Sequence, residues 1–170
     1  SFLSVLFAQT KLGSDIDGEA AFDYSGYSVS MNSDGDRVAI GAHSNDGTGP
    51  GYNAGHVRIY ERDEGNTTVE PLGWTQLGSD IDGEAAGDLS GYSVSLDSDG
   101  DRVAIGAYGN DGTANAAGHV RIYEYSGGSW SQLGSDIDGE AAADESGYSV
   151  SLNSDGDRVA IGARYNDGTA

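Results

Sequence analysis

The hydrophobic pattern along this chain is one of short runs in which large apolar residues alternate with small polar ones or glycine. Gly91-Tyr92-Ser93-Val94-Ser95-Leu96 and Arg102-Val103-Ala104-Ile105-Gly106-Ala107 are two such runs. A period of two puts the apolar side chains on one face, the signature of a half-buried strand. Between them, Ser98-Asp99-Gly100-Asp101 carries an Asp-Gly pair, whose residues tolerate the positive φ of a tight hairpin turn. A third strand is expected over 119–125, with Val120, Ile122 and Glu124 on one face and Arg121, Tyr123 and Tyr125 on the other. After the turn Ser126-Gly127-Gly128-Ser129, a short fourth strand is expected over 130–133. The same four are expected earlier in the chain over 26–31, 37–42, 56–61 and 74–77. No stretch has the helical period of 3.6, so the expected class is all-β.

These runs belong to a repeated sentence of thirty residues. Residues 13–42, 78–107 and 134–163 are near-identical, and the second and third copies differ only at Gly87/Ala143, Leu89/Glu145 and Asp97/Asn153. Each unit is too small to bury its apolar face alone, so neighbours must stack on one another. The expected organisation is one unit over 10–77, a second over 78–133 and a partial third over 134–170. Four short antiparallel strands per unit, joined by glycine turns, is the pattern of a β-propeller blade.

The residues now carry a resemblance. Ser-Gly-Tyr-Ser-Val-Ser, then Val-Ala-Ile-Gly-Ala, then Gly-His-Val-Arg-Ile-Tyr-Glu and a Trp-bearing strand resemble the FG-GAP repeat, the blade unit of integrin α-subunit propellers and of many secreted bacterial proteins. The resemblance runs from about residue 10 onward. It implies a β-propeller-like array of four-stranded antiparallel blades, two complete and one partial in this chain, and an extracellular adhesion or ligand-binding scaffold without catalysis. Ser-Gly stands where the family has Phe-Gly, and Ala42, Ala107 and Ala163 lack the following proline. Arg37, Arg102 and Arg158 occupy the place of the family's last acidic metal ligand, so its hairpin metal site is not carried over. Propellers close with about 4 to 8 blades. Chains are therefore expected to pair into a homo-oligomer, with residues 2–12 available as a strand for an incomplete blade.

Charge narrows the partners. Eight basic residues stand against 28 acidic ones, a formal net charge of -20, and such a field repels phosphate backbones and anionic lipid heads. Nucleic acid and membrane insertion are excluded as expectations, and a protein or glycan ligand on a loop face remains. Cysteine is absent, which leaves no disulfide framework or thiolate metal site. The apolar run 1–8 followed by Gln9 has two readings, the remnant of a secretory signal peptide with cleavage after Ala8, or an N-terminal strand. The first agrees with a secreted or cell-surface protein.

The sharpest candidate chemistry precedes each first strand. Asp80-x-Asp82-x-Glu84-x-x-x-Asp88 sets carboxylates at positions one, three, five and nine, and the series recurs as Asp15, Asp17, Glu19, Asp23 and as Asp136, Asp138, Glu140, Asp144. Alternate residues of a tight loop can converge on one hard cation, and Ca2+ takes several oxygen ligands of this kind. Equally, Asp and Gly crowd turns because they cap backbone amides and tolerate left-handed geometry. Asn45-Asp46-Gly47-Thr48 and its copies at 110–113 and 166–169 read first as turns. His56 and His119 recur at the start of the third strand and read as structural, bonded to a neighbouring loop, because no His-Glu-x-x-His spacing or nucleophile elbow accompanies them. Two alternatives to the adhesion scaffold stand beside it. One is a carbohydrate-binding or carbohydrate-processing module using Trp74, Trp130, Tyr60, Tyr123 and Tyr125; the other is a purely structural segment of a larger surface protein.

Overall fold

The computed structural model describes residues 10–47 and 51–168. The signal remnant or strand expected over 1–9, the cleavage point after Ala8, and Thr48 and Thr169 lie outside these residues. Every regular element among the described residues is a β-strand, and the paired strands run antiparallel.

Each hairpin forms where the alternation and the Asp-Gly turn place it. In the first sheet, β1 (Ser28–Met31) pairs with β2 (Arg37–Ala42), and β2 pairs with β3 (His56–Arg62). The free edge of β3 is covered by β4 (Trp74–Gln76), opposite its second half, and β5 (Ile81–Asp82), opposite its first. The second sheet repeats this with β6 (Ser93–Leu96), β7 (Arg102–Ala107), β8 (His119–Ser126), β9 (Ser129–Gln132) and β10 (Ile137–Asp138). A third sheet is the hairpin of β11 (Ser146–Leu152) and β12 (Val159–Ala163).

The two-residue strands β5 and β10 are absent from the sequence expectation of four strands per unit. Two residues show no period, and their pairing depends on a partner far away in sequence. β4 and β5 act as one edge strand interrupted at 77–80, where the Leu77 amide still donates to the Ile59 carbonyl at 2.8 Å. The first sheet is therefore completed by the acidic segment of the second unit. Ile16–Asp17, the matching residues of the first unit, have no preceding third strand among the described residues to pair with, and form no strand.

The sheets stack face to face. Ala39, Val57, Ile59, Leu77 and Ile81 of the first pack against Val94, Leu96, Val103 and Ile105 of the second, with Tyr123, Tyr125 and Trp130 closing the margin. The opposite face of the first sheet holds a smaller cluster of Ile40, Tyr60 and Trp74, backed by Ile16 and Val38. Trp130 Nε1 donates to the Leu77 carbonyl at 2.8 Å and Trp74 Nε1 to the Leu12 carbonyl at 3.2 Å, so each tryptophan ties its sheet to the segment one repeat upstream.

The small residues of the alternation hold one sheet to the next. Ser28 Oγ donates to the Gly91 carbonyl and Ser93 Oγ to the Gly147 carbonyl, at 2.7 and 2.8 Å. Ser30 Oγ and Ser95 Oγ accept from the amides of Leu96 and Leu152, both at 2.9 Å. Arg37 bonds Glu61 through Nε and Nη2 and reaches the Gly100 carbonyl of the next hairpin turn, and Arg102 does the same with Glu124 and Gly156. The approach that permits this is close. A Cβ on Gly41 would overlap the Gly91 carbonyl oxygen, and one on Gly106 the Gly147 carbonyl oxygen.

Gly106→Ala is therefore expected to force the second and third sheets apart and to lower unfolding free energy by about 1–3 kcal/mol, the usual penalty of overpacking. Gly127→Asn, in a turn where nothing approaches, is the control expected to stay within about 0.5 kcal/mol. Urea denaturation of both variants checks the contrast.

Candidate functional site

The acidic segments do not gather their own carboxylates. In the first, Asp15 pairs with Lys11 at 2.8 Å, the Asp17 carbonyl accepts from Arg58 at 2.8 Å, and Glu19 points toward His56. Asp23 is buried, its Oδ2 accepting from the Ala20 amide at 3.0 Å and from Asn45 Nδ2 at 2.8 Å, a nitrogen that also reaches Glu19 Oε2 at 3.4 Å. Asp88 repeats this with Ala85 and Asn110, and Asp144 with Ala141 and Asn166. The ninth position is thus a buried cap that closes a turn on itself and ties it to the Asn-Asp-Gly loop. That loop is in turn an Asx turn, with Gly47 and Gly112 donating to Asn45 and Asn110.

What converges instead is one residue from each of three segments. Glu19 of the first acidic segment, His56 at the start of β3, and Asp80 at the corner before β5 bring their ligand-type atoms within 4.8 Å of one another. Glu84, His119 and Asp136 do the same one repeat later. These two are the groups of this kind among the described residues. In the first, His56 Nδ1 lies 3.7 Å from Glu19 Oε2 and 3.9 Å from Asp80 Oδ2. In the second, His119 Nδ1 lies 3.9 Å from Glu84 Oε2 and 3.8 Å from Asp136 Oδ2.

Neighbours fix each carboxylate. Gln76 Nε2 donates to the other oxygen of Asp80 at 2.6 Å, and Gln132 to that of Asp136 at 2.7 Å. Arg58 lies 3.9 Å from Glu19 and Arg121 3.5 Å from Glu84. Asp82 stands opposite His56 across the β3–β5 pair, and Asp138 opposite His119. At the first junction a cavity of about 260 Å³ opens between Glu19, Asp23, Asn45, His56, Asp80 and Asp82.

The histidines are 1% exposed. Burial holds both imidazoles below their ordinary value near 6.5, with Asp80 and Glu19 pulling His56 the other way and Arg121 adding to the depression at His119. Both are neutral at pH 7, so each ring has a nitrogen lone pair to offer. Burial also raises the Asp82 carboxyl. Asp138 lies exposed beside the second junction, and Glu140 of the partial third unit faces Asn166 at 3.4 Å.

Reading the histidines as structural missed their meeting with Glu19 and Asp80. The signal was present in the phase of the repeat: the histidine recurs with the segment, and the aspartate it meets belongs to the following copy. The Asp-Gly hairpin turn is closed by protein groups, since Asn32 Oδ1 accepts from the amides of Asp36 and Arg37.

A second repeated feature lies at the same strand ends. The Tyr27 hydroxyl donates to Tyr92 at 2.9 Å and Tyr92 to Tyr148 at 3.0 Å. His43 and Tyr108 fill the spaces by edge contacts with this row, Tyr24 stacks on His43, and the Arg164 guanidinium lies 4.4 Å from the ring centres of Tyr148 and Tyr165. Tyr24, Tyr27 and Tyr165 are exposed. Trp74 and Tyr60, by contrast, are buried, and Trp130 and Tyr123 are half-buried in the packing between sheets.

Asp88→Ala should leave the buried Asn110 amide and the Ala85 N–H without an acceptor, and cost about 1–3 kcal/mol. Glu84→Gln alters a side chain that closes no turn and is expected to cost less. Chemical denaturation of the two variants separates the cap from the carboxylate that faces His119.

No protein-family model matches the chain, and no curated protein matches it.

Proposed function

We propose that this chain is an exported binding scaffold of the FG-GAP kind, its stacked sheets serving as propeller-like blades and its tyrosine-lined rim as the ligand-facing surface. The observation that carries the reading is the Tyr27–Tyr92–Tyr148 row. Three equivalent residues from three repeats form one hydrogen-bonded, partly exposed aromatic strip beside the loops. Tyrosine offers an apolar face and a polar tip at small entropic cost, which suits protein and glycan surfaces alike. The strongly acidic charge directs the choice toward neutral or cationic ligands rather than nucleic acid.

Association of chains belongs to the same proposal. Val29 and Met31 of β1 are 63% and 57% exposed, whereas their equivalents Val94 and Leu96 of β6, covered by the first sheet, are 9% and 7% exposed. The face that the second sheet buries within the chain is thus open on the first. A second copy presenting its partial third sheet there makes a head-to-tail contact, the geometry that closes rings or extends filaments. The alternative of a purely structural repeat segment draws on this same open face.

Static light scattering of the purified chain is expected to give a mass of two or more copies, and Val29→Lys with Met31→Lys to shift it toward one. A monomer for the unsubstituted chain sinks the association. On a glycan array, retention weakened by Tyr27→Ala and Tyr24→Ala supports the rim. Binding that is indifferent to those changes moves the ligand elsewhere, and no retention at all favours a protein ligand or the structural reading.

A further inference from the structure

We propose that each inter-repeat junction is a binding site for a divalent first-row transition ion, with zinc as the reference, held by Glu19, His56 and Asp80 at one junction and by Glu84, His119 and Asp136 at the next. The site goes beyond the scaffold reading and does not rest on it.

The first observation is geometric. Three ligand atoms of mixed type lie within 4.8 Å at each junction, with nitrogen-to-oxygen separations of 3.7–3.9 Å. Two ligands at about 2.1 Å from one ion, at tetrahedral angles, lie roughly 3.4 Å apart. Contraction of the histidine-to-carboxylate separations by a few tenths of an ångström, with the two carboxylates drawn in from within 4.8 Å of each other by Glu and Asp rotamers, brings the three together. The separations are too long for hydrogen bonds, and the repeat reproduces them at both junctions.

The second observation is independent of the carboxylates. His56 and His119 are almost wholly buried, their Nδ1 atoms face the cluster at 3.7–3.9 Å from its carboxylates, and His119 Nε2 is buried without a partner. Buried polar groups are ordinarily paired, and an exception calls for a ligand, a water or a strained role. A cation on Nδ1 engages the lone pair that faces the cluster and relieves the approach of two carboxylates. Gln76 and Gln132 then act as the outer hydrogen bonds that orient a ligating aspartate, the arrangement that metal sites commonly show.

The donor set decides the class of ion. Calcium and magnesium take oxygen ligands, whereas one imidazole with two carboxylates suits zinc and its first-row neighbours. The expectation of calcium from the loop carboxylates alone is thereby redirected, because the third ligand supplied by the fold is nitrogen. Three protein ligands leave at least one position for water or for a ligand atom. His43, the third histidine of the chain, stacks in the tyrosine rim, so the sequence provides for two such sites.

The experiment is calorimetric titration of the chelator-stripped, tag-free chain with zinc chloride, with calcium chloride in parallel, and Co2+ absorption as the spectroscopic readout. The expected result is two ions per chain, a raised Tm with zinc and none with calcium, and a visible Co2+ d–d band. Asp80→Asn keeps an acceptor for Gln76 and is expected to lower the stoichiometry to one; Asp80→Asn with Asp136→Asn should abolish binding and the band. Glu19→Gln with Glu84→Gln provides a second pair should the first fold poorly, as judged by the apo circular dichroism spectrum. Zinc binding that both pairs leave unchanged, no zinc binding, or a calcium response equal to that of zinc overturns the proposal. None of these readouts depends on glycan binding or on the number of chains in the assembly.

Discussion

The structure depends on how closely one sheet can approach the next. Gly41 meets the Gly91 carbonyl and Gly106 the Gly147 carbonyl with no room for a side chain between them. That approach brings Ser28, Ser30, Ser93 and Ser95 within hydrogen-bond reach of the neighbouring first strand. It also sets the step from sheet to sheet, so the tyrosines fall into one row and each acidic corner arrives opposite a histidine. A looser step would keep the hairpins and lose both rows, because hairpins need only their own turns whereas the rows need a common spacing.

Much of this was legible in the sequence. The alternation located the hairpins within a residue or two, and the repeats announced stacking. The serines were misleading in isolation, since a small polar residue on a strand is ordinarily a sign of solvent; here it bonds the adjacent sheet. β5 and β10 were invisible because two residues carry no period and their partners sit about 25 and about 18 residues upstream. Two of the positions where the copies differ also have a structural meaning that one chain read alone does not give. Phe22, Gly87 and Ala143, and likewise Tyr24, Leu89 and Glu145, all have positive φ. A backbone bend holds these side chains at places where sequence identity matters less than the turn itself, although a side chain there costs about 1–2 kcal/mol relative to glycine.

The candidate site was half legible. The spacing of Asp15, Asp17, Glu19 and Asp23 suggested one loop around one ion, yet the segment spends its carboxylates on different tasks. Asp23 closes a turn, Asp15 meets Lys11, and only Glu19 faces an imidazole. Spacing alone fails here because convergence in a repeat protein runs across copies as readily as within one. The aspartate that meets His56 is Asp80, which opens the following copy.

This division of labour bears on how a chain with 28 acidic and eight basic residues tolerates close stacking. Repulsion among like charges grows with every repeat added at a fixed step, and it is greatest where carboxylates from successive copies meet. Arg37 and Arg102 offset it on one side of each sheet by bonding Glu61 and Glu124. At the opposite strand ends, Arg58 and Arg121 touch only one carboxylate of each junction and leave Asp80 and Asp136 to a glutamine, which carries no charge. The neutral imidazole between them cannot balance two negative groups while burial keeps it unprotonated. The residual negative charge is thus concentrated where an imidazole lone pair is already aimed, the two demands that the ion proposed for each junction would meet at once.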